Sequence, residues 1–444
     1  MTKSAVTKYS LYLLLFLTFS YGLVSAFHFK QLFNDGAYWA FDIANESTWH
    51  IERQYFRFST LLLQTPAVLA AKFTQSLSTV PLLFSLGYFL YPFLILGTLI
   101  YCFRKNAKFD FFYIILLTFF LAIIPNWAFS VSVVNESIVM GWCLSSYIIC
   151  AEKPRTWIVA IFAAMLLFSY EIGIAFYGLA FYLLWREKKL KSKHLLIFTI
   201  LGLLQVYNVI VYILPFDNHK FFSNSLPNAL RTPLFLLAFT SILIFIINLF
   251  NNAKIKFILF LLAFSIASFA SYKILSLSSE NLAWQSYDNR TWAIPVAGTL
   301  LLLGYETLRK HMFSLPWHFL LVLFVLSIPS LIVEFKINQS QISFDQSLMK
   351  EVELNSGCKT LTPDEWNSLL QGHAVATWSF PHLSLLYNNQ LNIQTILFTV
   401  IYDGQGTIIP NDSCHLQEGS VLVKDQYRSY KIHPIRINLS KIYY

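Results

Sequence analysis

The chain has 444 residues, of which 56% are hydrophobic and only 12% are charged, and its mean hydropathy is +0.55. Soluble domains carry about 25% charged residues, so this composition excludes an ordinary soluble domain and predicts an all-α multi-spanning membrane bundle. The formal charge of +9 does not indicate a nucleic-acid partner, because an excess of Lys and Arg in so apolar a chain is typical of cytoplasmic loops.

The apolar segments and the basic residues between them predict about eleven transmembrane helices. With the N-terminus in the cytoplasm, the cytoplasmic loops hold sixteen Lys and Arg residues and the outer loops hold eight, as the positive-inside rule expects. We interpret the first segment as a retained signal-anchor, with a signal peptide cleaved near Ala26 as the alternative. The predicted spans are residues 8–27, 80–103, 110–126, 133–151, 157–168, 172–185, 195–214, 233–250, 256–273, 291–308 and 316–334.

A long outer loop, residues 28–79, follows the first span and is predicted to form two interfacial helices. In the first helix, Asp35, Asp42 and Glu46 share one face. The second helix has a polar stripe along one side, which faces either a cavity or water. Pro66 is expected to end or kink this helix. That stripe consists of His50, Arg53, Arg57, Thr60 and Gln64, opposite Ile51, Tyr55, Phe58 and Leu62.

Further ionisable residues lie at the predicted outer ends of the spans. Residues 157–185 predict a tight hairpin of two short helices that turns at residues 169–171. Ionisable side chains near spans usually face a cavity, and Glu171 is either such a group or an acid of the turn itself. Arg290 either binds a lipid-linked phosphate in a bidentate manner or reaches the lipid headgroups as an anchor. The same side also carries Glu136, Glu280 and Asp288.

The C-terminal part, residues 336–444, is predicted to be a small α/β extracytoplasmic domain, so that residues 1–335 form the transmembrane bundle. Strands are expected in residues 393–402 and 420–424, beside a helix at 363–372. Cys358 and Cys414 are the only cysteines of this domain, which favours a disulfide between them. The alternative is two unpaired buried thiols.

This arrangement resembles the membrane-embedded C-type (GT-C) glycosyltransferases, which use polyprenyl-phosphate-linked sugars. Members of that family combine a similar number of spans with a long first outer loop containing two interfacial helices, and many add an outer C-terminal domain. Asp35, in FNDGAYW, holds the position of the acid that the family carries near the end of the first span. Family members often have paired acids there, but Asn34-Asp35-Gly36 lacks the second acid, so the sequence does not support a divalent metal cofactor.

The resemblance implies a function at the cell envelope. A sugar would pass from the lipid-linked donor to a glycan, lipid or protein acceptor on the outer side of the membrane, with Asp35 as the catalytic base of an inverting displacement. The arginines would hold the phosphate, and Glu171 or Asp42 would orient the acceptor. The topology and the cysteine pair favour the bacterial inner membrane, with the C-terminal domain in the periplasm. The implied substrate-binding residues are Asp42, Arg53, Arg57, Glu171, Asp288 and Arg290.

Two other classes of function fit the same composition. A transporter or flippase for a lipid-linked or polar solute would use these acids and arginines along a translocation path, although the sequence lacks the duplicated halves that many transporters show. A membrane protein without catalysis would use the exported domain as a binding module, and Asp35 and Arg290 would then be dispensable. Within the enzymes, O-antigen polymerases and ligases are close in chemistry but tend to place their large outer loop between late spans.

Overall fold

A computed structural model of the protein describes the chain in separate stretches, which are helical up to residue 354 and mixed beyond it. The predicted spans at 110–126, 233–250 and 256–273 lie outside the described residues, and the span at 291–308 is described at four positions only. The described residues are 16, 19–20, 22–24, 26–32, 35–51, 57–73, 79–103, 133–169, 173, 175–208, 211, 255, 298, 301–302, 305, 317–354, 357–370, 395–399, 401–402, 408–409, 414–417, 420–423 and 436–438.

The long loop after the first predicted span folds into a short 3₁₀ turn, Lys30–Leu32, and two helices. These are α1 (Asp35–Glu46) and α2 (Thr60–Phe73), and they are followed by α3 (Thr79–Phe103). Two helices thus lie in this loop, their interfacial placement stays a prediction, and α2 continues past Pro66. Helices α2 and α3 cross closely, since a Cβ at Gly87 would lie only 2.1 Å from the carbonyl oxygen of Leu63.

The polar stripe that starts at His50 is helical only in its second part. The periodic stripe suggested a helix from His50 onward, whereas residues 48–51 and 57–59 are not helical and α2 begins at Thr60. Local hydrogen bonds explain this difference, because the Thr60 hydroxyl donates to the carbonyl oxygen of Arg57 at 2.7 Å. The backbone N–H of Ser59 also donates to the distant carbonyl of Phe168 at 3.2 Å, which occupies a donor that a longer helix would use.

The middle of the described chain contains four helices at predicted positions. They are α4 (Val133–Cys150), α5 (Thr156–Leu167), α6 (Ala175–Arg186) and α7 (Ser192–Asn208). The chain turns between α5 and α6, as expected for a hairpin, and each of these two helices has 12 residues. Among the described residues, no helix combines the length and the apolar character that a membrane crossing requires.

The distribution of polar and apolar side chains on α7 is inverted relative to a water-soluble helix. His194, Gln205 and Asn208 are buried. The exposed face carries Leu196, Ile200 and Leu203, with 60%, 49% and 65% of their surface accessible. The same inversion is present on α2, where Thr60 and Gln64 are buried and Leu62 is exposed. An exposed apolar face of this kind indicates an apolar or protein surrounding rather than water.

A single long helix, α8 (Trp317–Leu354), connects the last predicted span to the C-terminal part. The predicted domain boundary at 335/336 falls inside this 38-residue helix. The second half of α8 does not stand apart from the rest, because it contributes to a core cluster with α1, α2 and α3. That cluster includes Trp39, Ile43, Val68, Phe84, Phe344, Leu348, Val352, Leu361 and Leu369.

The C-terminal part combines one further helix with short strands, and the expected α/β domain stays a prediction. Helix α9 (Pro363–Leu370) begins with a capping box, in which Thr362 and Glu365 exchange hydrogen bonds. The strand pairs are β1 (Gly357–Leu361) parallel with β2 (Thr395–Thr399), and β3 (Ile401–Tyr402) antiparallel with β4 (Ile408–Ile409). A three-stranded antiparallel sheet has the order β5 (Cys414–Gln417), β6 (Ser420–Val423), β7 (Arg436–Asn438).

The two cysteines of the predicted disulfide belong to strands that lie near each other. Cys358 is in β1 and Cys414 is the first residue of β5, and these two strands are in contact. The disulfide between them stays a prediction.

Candidate functional site

A buried carboxylate lies where three segments of the described chain meet. Glu136, in the first turn of α4, is only 2% exposed, and its Oε2 accepts a hydrogen bond from the hydroxyl of Ser59. Its Oε1 is buried and has no hydrogen-bond partner among the described residues. Arg57, two residues before Ser59, lies near enough to Glu136 for its positive charge to act on the acid. A carboxylate in such surroundings is costly to bury and requires positive charge or hydrogen-bond donors nearby.

Serine hydroxyls connect this carboxylate to the end of α5. The hydroxyls of Ser137 and Ser169 are 2.7 Å apart, and Ser169 also donates to the carbonyl oxygen of Leu166 at 2.9 Å. Since a serine has one proton to donate, Ser137 is the donor in the contact between the two serines. The hydroxyl of Ser59 lies 3.0 Å from the carbonyl oxygen of Phe168. The segment before α2, the start of α4 and the end of α5 therefore form one polar junction, which we call the Glu136 junction.

A second polar group lies on α1. The imidazole of His50 donates from Nδ1 to Oδ2 of Asp42 at 2.7 Å. One face of the imidazole stacks on the Trp39 ring, with 5.4 Å between ring centroids and an interplanar angle of 22°. Tyr38 packs edge-on against the imidazole, with 5.0 Å between the ring centroids and an interplanar angle of 74°. These contacts hold the imidazole in one orientation.

The segment that carries His50 is attached to α2 at several other points. The hydroxyl of Ser47 donates to the carbonyl oxygen of Ala71 at 3.4 Å, and the indole N–H of Trp49 donates to Thr65 at 3.3 Å. The ammonium of Lys72 lies 5.4 Å from the centre of the Trp49 ring, within the range of a cation–π contact. The turn after α1 is thus fixed independently of the pair formed by Asp42 and His50.

Some of the predicted site residues lie in this region and the others lie outside the described residues. Asp35 is the first residue of α1, and Asp42 lies on the same helix seven positions later, which is roughly 10 Å along the helix axis. Arg57 precedes α2 and belongs to the Glu136 junction. The predicted residues outside the described part are Arg53, Glu171, Asp288 and Arg290.

Several residues of the region had no role in the prediction from sequence. Glu136 was recognised as an outer polar residue but was not placed in the site, although an acid inside the apolar stretch VVNESIV is a useful signal. Ser59, Ser137 and Ser169 gave no signal, because a serine in an apolar segment is common and its partner is distant in sequence. His50 was seen only as one member of a polar stripe.

The described residues contain no group of three or more His, Cys, Asp or Glu side chains able to hold a metal ion. Chemically, the region offers one guanidinium, two carboxylates and an oriented imidazole, which are groups that bind an anion and a hydroxyl. Comparison with protein-family models, with curated proteins and with solved structures finds no match for this chain.

Proposed function

We propose that this protein is an integral membrane glycosyltransferase of the C-type architecture. It would transfer a hexose or pentose from a polyprenyl-phosphate donor to a glycan, lipid or protein acceptor on the outer side of the bacterial inner membrane. The observation that carries the proposal is the buried acid Glu136, held by Ser59 and near Arg57, at the predicted outer end of α4. Asp35 begins α1 in the same predicted outer loop.

The composition and the inverted surface support the membrane part of the proposal. A chain with 56% hydrophobic and 12% charged residues has too few charges to cover a water-soluble protein of this size. Exposed leucines on α7, combined with buried His194 and Gln205, suit a helix whose outer face meets lipid. The excess of Lys and Arg in the predicted cytoplasmic loops places residues 28–79 on the opposite side in this proposal.

The charges of the Glu136 junction support a ligand with an anionic group. A guanidinium matches the oxygens of a phosphate in a bidentate manner, and it does so most strongly where water is excluded. Arg57 is partly buried and lies near the buried acid Glu136. In this proposal, Arg57 binds the anionic phosphate of the lipid-linked donor.

The proposed reaction is a single displacement at the anomeric carbon of the sugar. A hydroxyl oxygen of the acceptor forms a bond to this carbon while the bond from the carbon to the phosphate oxygen breaks. The electron pair of the broken bond stays on the polyprenyl phosphate, whose charge Arg57 stabilises. The proton of the hydroxyl passes to the carboxylate of Asp35, which acts as the general base. The configuration at the anomeric carbon is inverted.

The test uses the full-length protein in lipid nanodiscs with a panel of polyprenyl-phosphate-linked hexoses and pentoses. Release of polyprenyl phosphate is measured, with water as the acceptor. We expect the wild-type protein to turn over at least one donor, and the variant Asp35→Asn to lose roughly 100-fold or more of that rate, since a positioned base contributes this much.

The matched control is Asp364→Asn, which removes an exposed acid from α9 and should leave the rate unchanged. Wild-type protein that releases no polyprenyl phosphate from any donor contradicts the proposed function. A folded Asp35→Asn variant with the wild-type rate contradicts the role of Asp35 alone.

A further inference from the structure

We propose that Asp42 and His50 form the acceptor side of this site. His50 accepts, through Nε2, a hydrogen bond from the acceptor, and Asp42 positions His50 without touching the acceptor. When water is the acceptor, one of its protons passes to Asp35 and the other is held by Nε2 of His50. When a compound with several hydroxyls is the acceptor, a hydroxyl next to the reacting one donates to His50. The inference rests on the proposed glycosyltransferase function and deepens it, because it assigns the acceptor to a defined pair of residues and identifies it as a hydroxyl compound.

The geometry fixes which ring nitrogen is available. Oδ2 of Asp42 accepts the proton of Nδ1 at 2.7 Å, so the neutral imidazole has its lone pair on Nε2. The Nε2 atom makes no hydrogen bond to any described residue and is not among the fully buried polar atoms without a partner. The side chain of His50 is 11% exposed, which leaves the ring mostly enclosed and one edge open. An acceptor atom in this position suits a hydroxyl donor.

The aromatic neighbours make the arrangement rigid. The Trp39 ring covers one face of the imidazole and Tyr38 packs against it edge-on. Trp39 itself is 2% exposed and belongs to the core cluster that joins α1 to α3 and α8. A ring held by one hydrogen bond and two aromatic contacts keeps its open edge in a fixed direction, which is what binding of a substrate hydroxyl requires.

A purely structural role for the pair is the competing explanation. In that case Asp42 and His50 would only fasten the turn after α1 to the helix. The turn is already held by the contacts of Ser47, Trp49 and Lys72 with α2. The hydrogen bond between Trp49 and Thr65 therefore provides a matched test, because Thr65→Val removes one attachment of the same turn and leaves His50 untouched.

The kinetic experiment measures release of polyprenyl phosphate by the full-length protein in nanodiscs, with water as the acceptor. We expect His50→Ala to lower kcat roughly five- to tenfold with the KM for the donor unchanged, as loss of one hydrogen bond predicts. Asp42→Ala should lower kcat to a similar extent. Asp42→Asn should restore most of the rate, because the amide oxygen still accepts the proton of Nδ1. Thr65→Val should behave like the wild-type protein.

A chemical experiment tests the open edge of His50 without any substrate. Diethyl pyrocarbonate modifies accessible neutral imidazoles, and mass spectrometry identifies the modified residue. We expect His50 to be modified faster than His194, which is 0% exposed and serves as the internal reference.

The possible failures are distinct. Equal loss of kcat in His50→Ala and Thr65→Val shows that the pair only holds the turn, and it overturns the inference. So does modification of His50 that is no faster than that of His194, whatever the kinetics. Turnover that is the same in His50→Ala and wild-type protein overturns the inference and leaves the proposed function standing. Absence of turnover with every donor overturns both.

Discussion

Ser59 and Glu136 are 77 positions apart in the sequence, and a hydrogen bond from the serine hydroxyl to the buried carboxylate joins them. The contact connects the segment before α2 to the first turn of α4. It belongs to the predicted outer side of the protein, where Arg57 also lies near Glu136. Several consequences for stability and membrane contact can be measured.

The variant Ser59→Ala is expected to destabilise the protein. The change removes the hydrogen bond that Ser59 donates to Glu136 and leaves the buried acid with less compensation, which costs about 1–3 kcal/mol. The midpoint of thermal unfolding in nanodiscs should fall accordingly. In a Glu136→Leu background the same serine change should cost less, because the acceptor of the Ser59 hydrogen bond is already absent.

The matched control for this variant is Ser145→Ala in α4, the helix that carries Glu136. Ser145 is also fully buried, but its hydroxyl bonds only to the carbonyl of Gly141 one turn earlier, at 2.7 Å. Such a bond within a helix contributes little. Equal destabilisation by the two serine changes would count against the importance of the contact with Glu136.

The close crossing of α2 and α3 predicts that Gly87→Ala is strongly destabilising. The added Cβ would lie 2.1 Å from a backbone oxygen of α2, and backbone atoms move away only if the helices separate. We expect a loss of about 1–3 kcal/mol, as in overpacked cores. Thermal unfolding should be compared with that of Gly202→Ala, since a Cβ at Gly202 meets no atom within 4 Å. A Gly87 variant as stable as the Gly202 variant would show that this crossing is not tight.

The buried His194 predicts a loss of stability in acid. His194 lies one residue before the predicted span 195–214; burial lowers the pKa of its imidazole, and the nearby Lys191 lowers it further. A histidine with a lowered pKa in the folded state is protonated more readily in the unfolded state. Its neutral form therefore supports folding fully above the ordinary pKa of 6.5, and this support is lost as the pH falls below that value.

The measurement for His194 is the unfolding midpoint between pH 8 and pH 5. The wild-type midpoint should fall with decreasing pH, and His194→Gln should reduce that dependence because glutamine does not titrate in this range. An unchanged pH dependence in the variant would remove His194 as the responsible group.

The exposed apolar face of α7 predicts direct contact with lipid. A photoreactive benzoylphenylalanine in place of Leu203, which is 65% exposed, should crosslink to lipid acyl chains in nanodiscs. The same residue in place of Phe198, which is 9% exposed, should crosslink to protein instead. Mass spectrometry of the crosslinked products distinguishes the two. Lipid-free products at both positions would contradict lipid contact of this face.

The local elements were predictable from the sequence because they depend on nearby residues. The periodic spacing of Asp35, Asp42 and Glu46 indicated helix α1, and the apolar run around Leu61–Leu63 indicated α2. Proline at position 66 did not end α2, because the rest of the helix is held by its packing on α3.

The faces that these helices bury were not predictable in the same way. Periodicity shows that Thr60 and Gln64 share a side, but not that this side is directed inward. Which side of the helix faces inward depends on whether the opposite side meets water, lipid or protein. The contact of Ser59 with Glu136 depends on bringing together segments 77 positions apart, for which a single sequence contains no signal.

The long helix α8 makes the C-terminal part and the first outer loop mechanically dependent on each other. Its 38 residues extend roughly 57 Å without interruption, and Phe344, Leu348 and Val352 near its far end share a core with Trp39. Because these residues pack in one core, a displacement of the second half of α8 would also displace α1. A bulky molecule that binds the C-terminal part and moves α8 would therefore shift Trp39, the ring on which the His50 imidazole stacks.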